Sequence, residues 1–427
     1  MKILIKNANI ISMSEKRERF EKNIDILICD NIIKKIGKNI QTDENTKTID
    51  ATGKIVLPGL INTHSHIAMS IFRETIDGYK LQQWLEEKIW PMEDKLQPGD
   101  IYYATYLSAI EMIKSGCTTI NDMYFMTDYS INAINETGVR LQTTRTLMSM
   151  ENDSGKRLKE LEDLIEKNKD NPLVTFNVGI HGLYTTNEQD LIKYIEYAKN
   201  KNMRIHMHFC ENSKEVQDIK NNYNQNPVQI IQKYFGDMNL ILAHCVKLTD
   251  DEIESLSKMK NISVSHCPIS NLKLGCGIAK IDQMAKKGIN ISLGTDGQGS
   301  GSNLDMFETM KFTALLQKGV NEDPTAIPAY EVLKMATVNG AKALGLESKI
   351  GSIEENKLAD IIIINPDTEQ MQPINDIFAD LVYNAKGSNV ETTIVNGKIL
   401  MENRKLNFCD EENIFDECDK IILGIKD

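Results

Sequence analysis

Between residues 58 and 352 the chain alternates short apolar, strand-like runs with amphipathic helical stretches, and no other feature narrows its possible folds as much. The strand-like runs are a segment ending Ile61-Asn62-Thr63, then 118–120, 139–147, 174–180, 203–209, 240–243, 262–264 and 289–293. Between them, apolar residues recur at helical spacing. Tyr106, Ala109, Ile110 and Ile113 follow i, i+3, i+4, i+7, and so do Leu191, Tyr194, Ile195 and Ala198. Strands that are apolar on both faces belong in a parallel sheet covered by helices. Eight βα units over about 250 residues or more predict a (β/α)8, TIM-like barrel. A doubly wound open sheet would usually carry a glycine-rich phosphate turn after an early strand, and the sequence has none.

The two ends read differently. Residues 1–57 hold short strand patterns at Ile3-Leu4-Ile5 and Ile24-Asp25-Ile26-Leu27-Ile28 between polar turns. Near the other end, Asp360-Ile361-Ile362-Ile363-Ile364 reads as a buried strand. Residues 390–401 read as a hairpin turning at Asn396-Gly397, a dipeptide suited to a type I′ turn. We therefore expect 1–57 and 353–427 to form one composite, small, β-sandwich-like domain beside a barrel of 58–352.

Composition bounds the partners. Hydrophobic residues at 41% and charged residues at 26% fit a folded globular chain. With 49 Lys plus Arg against 61 Asp plus Glu, the net charge of −12 repels nucleic acid and anionic membrane, which leaves a small molecule as the expected substrate. No apolar run approaches the roughly 20 residues that cross a bilayer. Lys6, Asn7 and Asn9 interrupt any signal-peptide core, and the eight cysteines include no Cys-x-x-Cys pair, so a cytoplasmic location is expected.

Chemistry concentrates in the histidines. There are seven, His64, His66, His181, His206, His208, His244 and His266, and each sits at or near the C-terminal end of a predicted barrel strand. Barrel active sites are built on that face. In Thr63-His64-Ser65-His66, strand alternation turns both imidazoles inward, where they can share one ion. The same alternation turns both His206 and His208 inward, so spacing does not separate them. Depth favours His208 as the ligand, nearer the strand end, with His206 as a hydrogen-bonded core residue one layer down. Asp296, in Leu293-Gly294-Thr295-Asp296-Gly297, ends the eighth strand; it could ligate the ion and take a proton from water, or simply cap the next helix. Two or three histidines with one aspartate make a nitrogen and oxygen donor set for Zn²⁺ or Fe²⁺ with one position open.

Pro58-Gly59-Leu60-Ile61-Asn62-Thr63-His64-Ser65-His66, Leu242-Ala243-His244-Cys245, Ser270-Asn271-Leu272-Lys273-Leu274-Gly275 and Gly294-Thr295-Asp296-Gly297 resemble the amidohydrolase superfamily. Within it the chain resembles the 5′-methylthioadenosine/S-adenosylhomocysteine deaminases and the related triazine hydrolases, over nearly its whole length. The resemblance implies one divalent metal, zinc or else iron, held by His64, His66, His208 and Asp296. It implies that Glu211, in His208-x-x-Glu211, shuttles a proton to the ring nitrogen, and that His244 orients the attacking water. Binuclear relatives carry a carboxylated lysine on strand four; this chain has Gly179-Ile180-His181 there, so no second metal is expected, and His181 matches a position that contacts purine or ribose. Trp84 resembles the family's aromatic wall and Glu93 its acceptor of ribose hydroxyls, while Arg145 and Arg157 match arginines near the 5′ substituent and a subunit boundary. A homo-oligomer is expected. His266 is given no ligand role.

The implied reaction is hydrolytic deamination of an adenine nucleoside, in which water activated by the metal attacks C6, Asp296 and His244 take up its proton, and Glu211 acts as general acid. The His-x-Glu and Pro-Cys-x-x-Cys pattern of the cytidine-type zinc deaminases is absent. Deamination of guanine or cytosine, or triazine dechlorination, is the nearest other reaction, and a catalytically dead scaffold barrel is the reading from a different class.

Overall fold

The computed structural model describes residues 1–149, 153 and 155–426. Eight parallel strand positions form the barrel: Leu60–Ser65, Cys117–Asp122, Arg140–Thr143, Val178–Gly182, Ile205–Phe209, Leu240–His244, Ile262–His266 and Asn290–Leu293. The predicted fourth strand is broken at Asn177. Its first part, Val174–Phe176, pairs with the third strand, while Val178–Gly182 pairs with the fifth. The third strand is shorter than its apolar run, because the ladder stops where the Thr144 hydroxyl, not a carbonyl, accepts the Gly179 N–H at 2.9 Å. Beyond that point Leu147 bridges singly to Ile180. The ring closes where Asp296 N–H donates to the His64 carbonyl (3.0 Å) and the Thr63 hydroxyl donates to that of Leu293 (2.9 Å).

The helices bury the faces that their spacing marked. Pro98–Lys114 buries Tyr106, Ala109, Ile110 and Ile113, and Glu188–Asn200 buries Leu191, Tyr194, Ile195 and Ala198. Among the described residues no helix is long and apolar enough to cross a membrane.

Strands from both ends join in one nine-stranded sheet, in which Ile361–Ile364 lies between Val390–Val395 and Ile55–Pro58. Its period of two divides the isoleucines. Ile361 and Ile363 face a separate small core with Ile3, Ile5 and Ile26, whereas Ile362 and Ile364 face the main core shared with the barrel. The hairpin turns at Asn396 (φ 49°) and Gly397 (φ 74°), both left-handed as a type I′ turn requires. A Cβ on Gly397 would lie 2.0 Å from the Asp30 carbonyl, so only glycine fits. A buried pair, Arg140 Nε to Asp360 at 2.9 Å, ties the third barrel strand to this sheet. The last segment, Glu411–Lys426, is a helix that leaves the sheet and packs on Pro98–Lys114.

Candidate active site

Six of the seven histidines lie toward the C-terminal ends of barrel strands or directly after one, while His206, second in Ile205–Phe209, sits one layer down. Hydrogen bonds fix the orientation of four rings. His66 Nδ1–H donates to the Met123 carbonyl and His208 Nδ1–H to that of His181, each at 2.6 Å. His64 Nδ1 lies 2.8 Å from His206 Nε2, and His244 Nδ1 lies 2.8 Å from Asn271 Oδ1. Because Nδ1 of His66 and of His208 carries the proton, the Nε2 atoms of these rings present lone pairs, and they face each other at 3.2 Å. Asp296 Oδ1 lies 3.2 Å from His66 Nε2 and 3.5 Å from His64 Nε2.

Electron-rich atoms converging in a buried space need a cation among them. His64 Nε2 is buried with no hydrogen-bond partner among the described residues, and ligand atoms of His64, His66 and His208 lie within 4.8 Å of one another. The residues fit one divalent metal: three imidazole nitrogens and a carboxylate, with outer partners that set ring orientation. Where a proton takes the cation's place, burial opposes it, but the Asp296 hydrogen bond and charge raise the pKa of His66 to about 9. His64, more deeply buried, is lowered to about 4. Burial would also raise Asp296, yet the imidazoles of His64 and His66 beside it hold it well below the carboxylate range. Gly297 N–H and the Ser300 hydroxyl, each at 2.8 Å, complete its shell.

Glu211, Asp296 and His244 bring one donor atom each within 4.8 Å of the others. Burial, with the Asp296 charge second, pushes the Glu211 carboxyl up to about 8, which favours its protonated form. A buried acid that carries a proton beside an ionised one is the pairing that acid–base chemistry at pH 7 requires. His244 Nε2 has no hydrogen-bond partner among the described residues and lies 3.9 Å from Glu211 Oε2.

Above this group opens a cavity of about 1040 Å³, with His66, His181, His208, Glu211, His244 and Asp296 in its lining. Trp84, Glu93, Arg145 and Arg157 line it as well, so every residue given a metal, catalytic or substrate role from the sequence borders it except His64, which is sealed beneath; His206 and His266 do not border it. Glu93 accepts the Tyr124 hydroxyl at 2.5 Å, and burial raises its carboxyl to about 7. His181 Nδ1 is 3.0 Å from the Thr185 hydroxyl. Arg145 pairs with Glu160 (2.6 Å) and Arg157 with Asp153 (3.4 Å), so the arginine end of the cavity carries both signs of charge. His266 stands apart, buried and with no hydrogen-bond partner on either nitrogen among the described residues, its pKa lowered by burial to about 3.

Sequence reading missed the supporting residues. Tyr124, Ser300 and Asn121 lie in stretches with no motif; Asn271 lies inside the Ser270-Asn271-Leu272 motif, but only contact with His244 gives it a role. His206 does more than fill the core, since it bridges Asn121 and His64.

Residues 55–400 match the amidohydrolase family. A 5-methylthioadenosine/S-adenosylhomocysteine deaminase of Thermoanaerobacter pseudethanolicus is 42% identical over 98% of both chains. A 5′-deoxyadenosine deaminase of Methanocaldococcus jannaschii is 41% identical over 98% of both. Among solved structures, an adenosine deaminase from Xanthomonas campestris with bound zinc superposes with a TM-score of 0.94 at 27% identity, covering 99% of this chain and 98% of that one. With a match over most of its length, near-full-length relatives, and a histidine–aspartate centre at the rim of a barrel, the chain belongs to the amidohydrolase family.

Proposed function

We propose that the protein hydrolytically deaminates adenine nucleosides with a modified 5′ carbon, converting 5′-methylthioadenosine and S-adenosylhomocysteine to their inosine analogues with release of ammonia. The observation that carries this reading is the buried cluster of Glu211, His244 and Asp296 beside the three histidines, on the floor of a cavity large enough for a nucleoside with a tail. His64, His66, His208 and Asp296 would hold one divalent metal, zinc or else iron. When bound, such an ion lowers the pKa of water and so supplies hydroxide at neutral pH.

The chain's own residues do the rest. Asp296, kept ionised, accepts the proton of the attacking water, while His244, its ring fixed by Asn271, presents Nε2 to that water. Glu211 delivers its proton to a ring nitrogen of the adenine, so negative charge does not accumulate there as the C6–oxygen bond forms. The proton held by Asp296 passes to the amino group, the C6–nitrogen bond breaks to release ammonia, and the C6 hydroxyl proton returns to Glu211, leaving the carbonyl. Trp84 packs on the base, His181 contacts purine or ribose, and Glu93 accepts a ribose hydroxyl. Arg145 and Arg157 meet the far end of the tail.

Ammonia release from metal-loaded protein tests the proposal on methylthioadenosine, S-adenosylhomocysteine, 5′-deoxyadenosine, adenosine, guanine and cytosine. The 5′-modified nucleosides should be turned over with the highest kcat/KM. Preference for a free base would overturn the assignment, since a base offers nothing to Glu93, Arg145 or Arg157.

A further inference from the structure

The fifth strand delivers two functional side chains within four residues, His208 near its end and Glu211 just beyond it. The turn between them is unusual. Cys210 is left-handed at φ 52°, a conformation seldom adopted by a residue with a side chain. The carbonyls of this turn are taken by the next strand's exit: Cys245 N–H donates to Phe209 at 2.9 Å, and Lys247 N–H to Cys210 at 2.8 Å. The N–H groups point the other way and are both taken by one side chain. Glu215 Oε1 accepts from Cys210 N–H at 2.9 Å, and its Oε2 from Glu211 N–H at 2.7 Å.

Glu215 is the third residue of the helix Ser213–Tyr223, whose N-cap is Asn212. In a capping box, an acid at that position reaches back to the N-cap's own N–H. Glu215 instead passes Asn212 and binds the two residues before it. Asn212 still caps the helix through Glu215 N–H at 2.9 Å, so the helix start does not need the Glu215 carboxylate. That carboxylate is 1% exposed, and no ion pair joins it to a cation among the described residues. Burying an acid without a cation is unfavourable, and two N–H bonds offset only part of that. Its return is geometric. With both faces of the turn held, the Glu211 side chain is directed to the floor of the cavity, one oxygen 3.7 Å from Cys276 Sγ and the other 3.9 Å from His244 Nε2.

We infer that Glu215 is a positioning residue for the general acid: its buried carboxylate clamps the Cys210 and Glu211 amides and so fixes where Glu211 delivers its proton. The inference rests on the proposed role of Glu211. Glu215→Gln keeps the side chain's shape but sets an NH₂ group against one of the two N–H donors, which frees the turn. An error of about 1 Å in a reacting group can lower turnover about 100-fold. In Glu215→Gln we expect kcat to fall about 10- to 100-fold, with KM and metal per chain at wild-type values.

A double-mutant cycle with Glu211→Gln separates positioning from general support of the fold, because residues that act as a unit are not additive. Adding Glu215→Gln to Glu211→Gln should lower kcat no further. An independent, multiplied loss, or loss of metal in the single variant, would overturn the inference. If Glu211→Gln alone kept near-normal turnover, the general-acid reading would fail first and this one with it. Glu215→Asp, whose shorter arm reaches at most one amide, is read by the same cycle should Glu215→Gln not fold. A chain that folds with neither would make Glu215 a folding residue and refute the proposal.

Discussion

Replacing His206 by Ala discriminates between two accounts of the metal centre. From the sequence, His206 is a core residue whose loss should lower stability and leave the metal in place. In the structure its Nε2 lies 2.8 Å from His64 Nδ1, and its Nδ1 lies 3.2 Å from Asn121 Nδ2. It is therefore the outer partner that orients the His64 ring, a proposed ligand. Loss of such a partner typically weakens metal binding about 10- to 100-fold, which is about 1.4–2.8 kcal/mol at 1.4 kcal/mol per tenfold. The same substitution leaves His64 Nδ1 without a partner and removes one from Asn121, at about 1–3 kcal/mol for each group left unsatisfied. Thermal unfolding should also move to lower temperature.

The assay is metal per chain by mass spectrometry after dialysis against chelators of graded strength, with wild type, His206→Ala and His208→Ala in parallel. His208→Ala should be empty at the weakest chelator. His206→Ala should release its metal at a free-metal level about 10- to 100-fold above that of wild type. Metal retention by His206→Ala equal to wild type would show that the His64 ring is held by its surroundings alone. Retention by His208→Ala with loss from His206→Ala would exchange the two histidines' roles.

Four further outcomes follow from the same geometry. Glu211 acts as an acid only while protonated, so kcat should fall as pH rises through about 8; Glu211→Gln should lose that limb and about 10²–10⁴ in rate, as pH–rate profiles on loaded enzyme will show. Arg145→Met and Arg157→Met should each lower kcat/KM on S-adenosylhomocysteine roughly 10- to 150-fold, the scale of 1.5–3 kcal/mol for a charge-assisted bond, and leave methylthioadenosine nearly unchanged; equal losses on both substrates would remove tail recognition. Tyr124→Phe takes the donor from Glu93, and KM for nucleosides should rise by about tenfold for a bond worth about 1.5 kcal/mol, with kcat kept. Arg140→Met leaves Asp360 buried and unpaired and should reduce unfolding free energy by about 3–5 kcal/mol without altering metal content; chemical denaturation measures it.

The barrel is legible because burial on both faces writes strands as continuous apolar runs and burial on one face writes helices at a period of 3.6. What these periods do not record is where a strand stops pairing. Residues 139–147 stay buried or half-buried past Thr143, so hydrophobicity continues after the ladder has ended at Thr144. The break at Asn177 is equally silent. Asn177 is fully buried, donates through its side chain to Asn121, and joins the outer layer under the site, where a polar residue in an apolar run reads only as an interruption. The helix Glu411–Lys426 shows how a segment's partner also lies outside local pattern, since its apolar face is covered by a helix some 300 residues earlier in the chain.

The site divides along a similar line. Ligands must come from strand ends and face inward, so period two and strand position together bring His64, His66, His208 and Asp296 into one short set. Alternation cannot say which of His206 and His208 meets an ion, because both point inward; place along the strand favours His208, which is nearer the end. The supporting residues carry even less signal. Asn271 orients His244 from the loop after the next strand, Tyr124 reaches Glu93 from the exit of the second strand, and Ser300 closes on Asp296 from four residues beyond. Each needs only one hydrogen-bonding atom at one point, a requirement that many residue types at many positions could meet. A metal ligand has few chemical alternatives, so its identity survives in the sequence. A residue that only aims a ligand has many, and it becomes visible when the fold shows what it touches.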